Sequence, residues 1–178
     1  MSQQVMDYDP RWPELYEREA ARLHSVLTTW ALRIDHVGST AVPGLAAKPV
    51  IDIQVAVQDQ AAIGAVRALL LMHGYTEATT PIRFFHQPAC WPHTHHVHVR
   101  VAGSYEEVRL RAFRDWLRSH PADRLSYEEL KRELASSSNL FRPEERTRYS
   151  EAKTSFVREI ESRAGVSPST SLSEPSQT

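Results

Sequence analysis

Cysteine is nearly absent: Cys90 is the only one in 178 residues, so an intrachain disulfide is excluded and a reducing, cytoplasmic setting is expected. Excess charge of either sign is also missing. Lys and Arg total 21 against 22 Asp and Glu, a formal net charge of −1, which excludes the basic coat that general nucleic-acid or anionic-membrane binding needs. No hydrophobic run approaches the roughly 18 residues of a membrane span, since the stretch from Ala61 to Met72 is broken by Gly64 and Arg67. The first residues carry Asp7, Asp9 and Glu14 with no apolar core before Leu15, unlike a secretory or transit segment. What is present, 41% hydrophobic and 24% charged positions, suffices for one globular domain.

Leu15, Leu23, Val26 and Leu27 among Glu and Arg predict an amphipathic helix opened near Pro13 and ending near Trp30. Leu32, Ile34 and Val37 predict a strand running into the turn residues Gly38, Ser39 and Thr40. In PVIDIQVAV, Pro49 to Val57, Asp52, Gln54 and Ala56 alternate with Ile51, Ile53, Val55 and Val57, the clearest strand pattern of the chain. A helix over Ala61 to His73, closed by Gly74, and strands over IRFFHQ and HHVHVRV follow. Ser104 with Glu107 and Ser126 with Glu129 match capping boxes, and Pro143 can open a last helix carrying Tyr149, Phe156, Val157 and Ile160. The order predicts an α+β domain over residues 1–165, a mixed sheet flanked by helices with a helical C-terminal third. Residues 166–178, VSPSTSLSEPSQT, are expected to be a disordered Ser/Pro-rich tail.

Three groups of residues can carry chemistry. A Gly38-Ser39 turn delivered by a strand can offer backbone N–H groups and a hydroxyl to a phosphate, with Lys48 as nearby positive charge, or it can be a plain tight turn. His96, His98 and Arg100 share one face of HHVHVRV, a surface for a metal or an anion; His93 and His95 beside Pro92 are expected in a loop. From Pro81 to Arg118 six arginines face only Glu106, Glu107 and Asp115. Arg83, Arg100 and Arg114 are the expected anion contacts, the alternative being solvated or structurally paired side chains. Tyr149 and Lys153 share a helix face, so Lys153 either approaches the cleft or lies on the surface.

Taken together, YDPRWPELYEREAARL, DHVGSTAVPGLAAKPVIDI, HHVHV, FRDWLRSHP, YEELKRELA and RYSEAKTSFV, within residues 8–162, resemble the GrpB family, which is related to the nucleotidyltransferase superfamily. The resemblance implies a nucleotidyltransferase-like sheet in which Gly38 and Ser39 contact phosphates and Asp52 is the first of the superfamily's metal-holding acids. Alternate strand positions share a face, so two such carboxylates can grip metal ions that bridge a triphosphate. Here the place of the second acid is Gln54. His96 or His98 would then stand in for an acid, which suits Zn²⁺ or Mn²⁺ better than Mg²⁺. The implied function is binding of a nucleotide or another phosphorylated small molecule, with Asp52 and Ser39 as catalytic candidates for nucleotidyl transfer. Gly38, Ser39, Lys48, Arg83 and Arg114 would serve as phosphate contacts, and Asp52, His96 and His98 as ligands of a divalent metal. The alternative is a noncatalytic ligand-binding or protein-interaction module of the same fold. Such domains also occur fused to dephospho-coenzyme A kinases.

Overall fold

The computed structural model describes residues 5–78, 84–140 and 142–168. Its elements are α1 (Trp12–Leu27), β1 (Arg33–Val37), β2 (Ile51–Val57), α2 (Gln60–Met72), β3 (Thr76–Glu77), β4 (Phe85–Gln87), β5 (His95–Val101), α3 (Tyr105–Ser119), α4 (Pro121–Ser136), α5 (Pro143–Ala152) and α6 (Thr154–Arg163). The strands form one sheet in the order β1-β2-β5-β4-β3. Among the described strands only β2 and β5 are parallel, pairing Asp52 with His96 and Gln54 with His98 in register. The sheet is mixed and helix-flanked, as the sequence predicts.

Period-two alternation divides the sheet into an oily and a polar face. Ile51, Ile53, Val55, Val57, Val97 and Val99 bury against α1 and α2 through Leu23, Leu27, Val66 and Leu70, forming the main core. On the opposite face stand Asp52, Gln54, His96 and His98. A second apolar cluster joins Val42 and Leu45, in the segment between β1 and β2, to Phe113, Leu117, Tyr127 and Ile160 of the C-terminal helices. That segment carries Gly38, Ser39 and Lys48, so burial of Val42 and Leu45 fixes the polar residues around them to the helical layer.

Local chemistry explains most boundaries. Ser104 Oγ accepts from Glu107 N at 3.3 Å, so the expected cap forms, but the return bond of a full capping box does not: Glu107 Oε2 accepts from Gly103 N at 3.1 Å, while Ser104 N donates to Val101 O. Gly74, at φ +85°, closes α2 as expected. The second box does not start a helix: Pro121 opens α4 five residues before Ser126, because proline suits the first turn and sets φ in advance. The first helix stops at Leu27, with a 3₁₀ turn over Thr28–Trp30. The IRFFHQ strand is confined to Phe85–Gln87, Ile82 and Arg83 lying outside the described residues. The last helix is two, α5 and α6, broken at Lys153. Val166, placed in the tail by composition, is buried, and its N–H reaches Glu161 O at 2.9 Å, while residues 169–178 lie outside the described residues. Among the described residues no helix is long and apolar enough to cross a membrane.

Candidate functional site

The polar face of the sheet opens beside the Gly38-Ser39 turn. Gly38 has φ +70°, and a Cβ there would lie 2.6 Å from Asp52 Oδ2, so glycine is required both by the backbone and by the carboxylate packed on it. After the turn, His36 Nε2 and Thr40 Oγ1 are 3.0 Å apart, Thr40 donates to Val50 O, and the Tyr16 ring stacks on His36 at 4.7 Å. Burial pushes the His36 imidazole down to about 4, which keeps it neutral and structural. The helical layer clamps the carbonyls of the same segment: Arg118 bonds Ala41 O, Arg124 bonds Pro43 O, Lys131 bonds Ala46 O, and Ala46 N donates to Glu128.

Asp52, His96 and His98 converge. Asp52 Oδ1 lies 3.4 Å from His96 Nδ1 and 3.3 Å from His98 Nε2. With His96 donating from Nδ1, its Nε2 is left to accept from His93 Nδ1 at 3.0 Å, so His93 joins the constellation rather than standing apart in its loop. Burial by itself pushes the Asp52 carboxyl up, but the bonds and charge of His96 and His98 outweigh it and hold it well below the ordinary carboxylate range. Burial also lowers His96 and takes His93 down to about 4.

Among the described residues no group of three His, Cys, Asp or Glu side chains is disposed to hold a metal ion, and the facing nitrogens of His96 and His98 both turn to Asp52 Oδ1. Gln54 adds nothing: it is fully buried, and its Nε2 donates to Glu107 O at 3.1 Å and Glu107 Oε1 at 3.2 Å. A hard Mg²⁺ ion would find one anionic oxygen ligand, fewer than a protein-built cage requires.

The expected arginine contacts also differ. Arg114 donates to His36 O at 2.8 Å and to Asp115 at 2.7 Å, and so ties α3 to β1. Arg109 pairs with Glu161 and Arg111 with Glu107, so both are engaged in ion pairs within the fold. Arg100 lies two rungs beyond His98, paired in register with Ala56, and donates to Val99 O. Arg83 lies outside the described residues.

Positive charge at the cleft comes from lysine instead. Lys48 Nζ and Lys153 Nζ lie 4.8 Å and 4.1 Å from the ring centroid of Tyr149, which is 2% exposed. Lys131, equally buried, sits 4.8 Å over the Tyr127 ring, whose hydroxyl is hydrogen-bonded to Ser39. Lys153 is drawn down to about 7, first by burial and then by Lys48; Lys131 reaches about 7 through burial and then Lys153. Burial lowers Lys48 as well, against the pull of Asp52. These lysines, at positions 48, 131 and 153, are the only ones in the chain; every other basic residue of the 21 is arginine. That scarcity is visible in the sequence and is the signal that could have identified Lys131, which motif reading passes over.

The sequence profile of the family described as "GrpB protein" matches residues 2–163. A UPF0157 protein of Halalkalibacterium halodurans is 43% identical over 164 residues, covering 91% of this chain and 82% of that protein. A crystal structure of conserved protein GrpB from Enterococcus faecalis superposes with a TM-score of 0.76 at 33% identity, covering 90% of this chain and 96% of the other. A dephospho-CoA kinase of Mycolicibacterium paratuberculosis is 36% identical over 152 residues, which span 70% of this chain and 37% of the kinase.

Proposed function

Because the chain belongs to the GrpB family, we propose that its cleft binds a nucleotide or another phosphorylated small molecule, with Lys48 and Lys153 on the phosphates and Ser39 as a hydroxyl donor. One observation carries this reading: the three lysines of the chain gather around Tyr127 and Tyr149, Lys131 buried and Lys48 and Lys153 half-buried, with Asp52 facing Lys48 and Lys153 and Glu128 facing Lys131. Buried cations without matching anions are costly and persist where a ligand supplies the missing charge. A divalent ion arriving with the phosphates, Mg²⁺ or Mn²⁺, would take Asp52 as its protein anchor and draw the rest of its shell from phosphate and water, supplying charge neutralisation.

Calorimetric titration with nucleoside triphosphates and with coenzyme A, with Mg²⁺ or a chelator present, tests the proposal. Lys48→Met is expected to weaken binding about tenfold to a hundredfold, the worth of one charge-assisted contact of about 1.5–3 kcal/mol. Asp52→Asn is expected to erase the difference between metal and chelator. Unchanged affinities in both variants would remove the cleft from ligand binding.

Nucleotidyl transfer is the second reading, favoured by an ionised Asp52 packed on the Gly38-Ser39 turn. It requires pyrophosphate release that Asp52→Asn abolishes. Binding without release across a panel of acceptors favours the module.

A further inference from the structure

The three lysines differ chemically from the arginines that serve the rest of the fold. A guanidinium stays charged wherever it is placed, whereas a buried amine can shed its proton. An arginine cleft would be permanently charged and self-repelling when empty. A lysine cleft can relax to neutrality and charge again when an anion enters. Resting on the phosphate reading of this site, we propose that a phosphorylated ligand enters the cleft together with protons, which the lysine amines take up as the anion arrives.

Geometry supplies the coupling. Lys48 and Lys153 share the Tyr149 ring as common neighbour, and Lys131 is tied to Ala46 O two residues before Lys48. Each lysine therefore senses the others' charge, and an anion between them favours the charged form of all three.

The groups facing the lysines come from every surrounding element. Asp52 of β2 is held ionised by His96 and His98, and His96 of β5, which feels the charge of Lys48, is itself lowered by burial. Tyr127 of α4 and Tyr149 of α5 are pushed up by burial and stay neutral. Glu128 of α4 is kept low, with burial opposed by Ala46 N and Arg132; Arg132 and Arg146 are permanent cations. Lys131 and Lys153, both near 7, are left to change charge around neutrality.

The probe is inorganic pyrophosphate, titrated into the full chain in chelator-containing solution and repeated in buffers of different ionisation heat, which reads the protons exchanged on binding. At about pH 7, where the Lys153 amine is about half protonated, the wild type should take up about half a proton more than Lys153→Arg, which keeps the charge but cannot titrate. Over the range from about pH 7 to about pH 9, affinity should fall about tenfold per pH unit for each proton taken up, and less steeply in the variant. Lysine Nζ resonances, followed by NMR in the free protein, give the same titrations without any variant. Binding with no extra protons, or uptake that persists in Lys153→Arg and leaves the lysine resonances unmoved, overturns proton coupling but leaves the phosphate reading standing. No binding of pyrophosphate at any pH overturns both.

Discussion

Gln54→Glu is expected to destabilise the protein by about 3–5 kcal/mol at neutral pH, the cost of leaving a buried charge unpaired. Motif logic alone points the other way, since a second acid at this position would complete the superfamily's metal pair. The amide of Gln54, however, donates to the main-chain oxygen and the carboxylate of Glu107, and the residue is fully buried. Glutamate would present oxygen where a donor is needed, beside a carboxylate already bound by Arg33, Arg111 and the N–H of Gly103. Its folded-state pKa would rise above the unfolded value, so the protonated acid, able to donate, restores stability at low pH. The loss grows as pH rises through that folded-state value. Gln54→Met removes the donor without adding charge and should cost about 1–2 kcal/mol. Urea unfolding at two pH values measures both. A Gln54→Glu protein as stable as wild type, with tighter Mg²⁺ binding, would place residue 54 in the cleft and refute the assignment to Glu107.

Lys153→Met is expected to move stability and binding in opposite directions. A lysine whose folded-state pKa has fallen from 10.5 to about 7 binds a proton less readily folded than unfolded. Its penalty is therefore complete below about pH 7 and fades as pH rises towards the unfolded value. Methionine fills similar space without that penalty and relieves Lys48 and Lys131 of a neighbouring charge. The ligand-free variant should be about 1–3 kcal/mol more stable than wild type at about pH 7, a figure already reduced for water reaching the cleft mouth. Pyrophosphate, which should raise the wild-type melting temperature more at about pH 6 than at about pH 9, should raise that of the variant little at either pH. Such a trade between stability and function is typical of a site built to receive charge. If Lys153→Met unfolds more easily and still binds pyrophosphate like wild type, Lys153 is a packing residue and the cleft is not organised around it.

How much of this was legible in the sequence follows the range of the interactions. Alternation in PVIDIQVAV and HHVHVRV is a local pattern with a two-residue period, and it places Asp52, His96 and His98 on one face of neighbouring parallel strands. The Ser104 cap and the Gly74 stop are equally local, and both are found. The start of α4 differs from the sequence expectation because two local signals compete, Pro121 and the Ser126 box, and the helix begins at the proline and runs on through Tyr127. The fate of Gln54 depends on Glu107, 53 residues away, and no spacing rule reaches that far. The arginines from Arg109 to Arg118 look like a phosphate-binding run until Glu161, Glu107, Asp115 and Ala41 O are seen to engage them. Lysine scarcity was present in the composition throughout. It acquires meaning only when Lys48, Lys131 and Lys153, from three separate parts of the chain, are found around Tyr127 and Tyr149.

The same scarcity supplies the most direct test of the phosphate cleft. Isotope-labelled lysine gives three side-chain signals, and every one of them reports on the site. Titration of pyrophosphate, and then of a nucleoside triphosphate with Mg²⁺, should shift the Nζ-linked signals of Lys48, Lys131 and Lys153 together along one saturating curve. Asp52→Asn should remove the difference that Mg²⁺ makes to the curve. Lysine signals that stay unmoved while either ligand binds elsewhere, or while neither binds at all, would contradict the account.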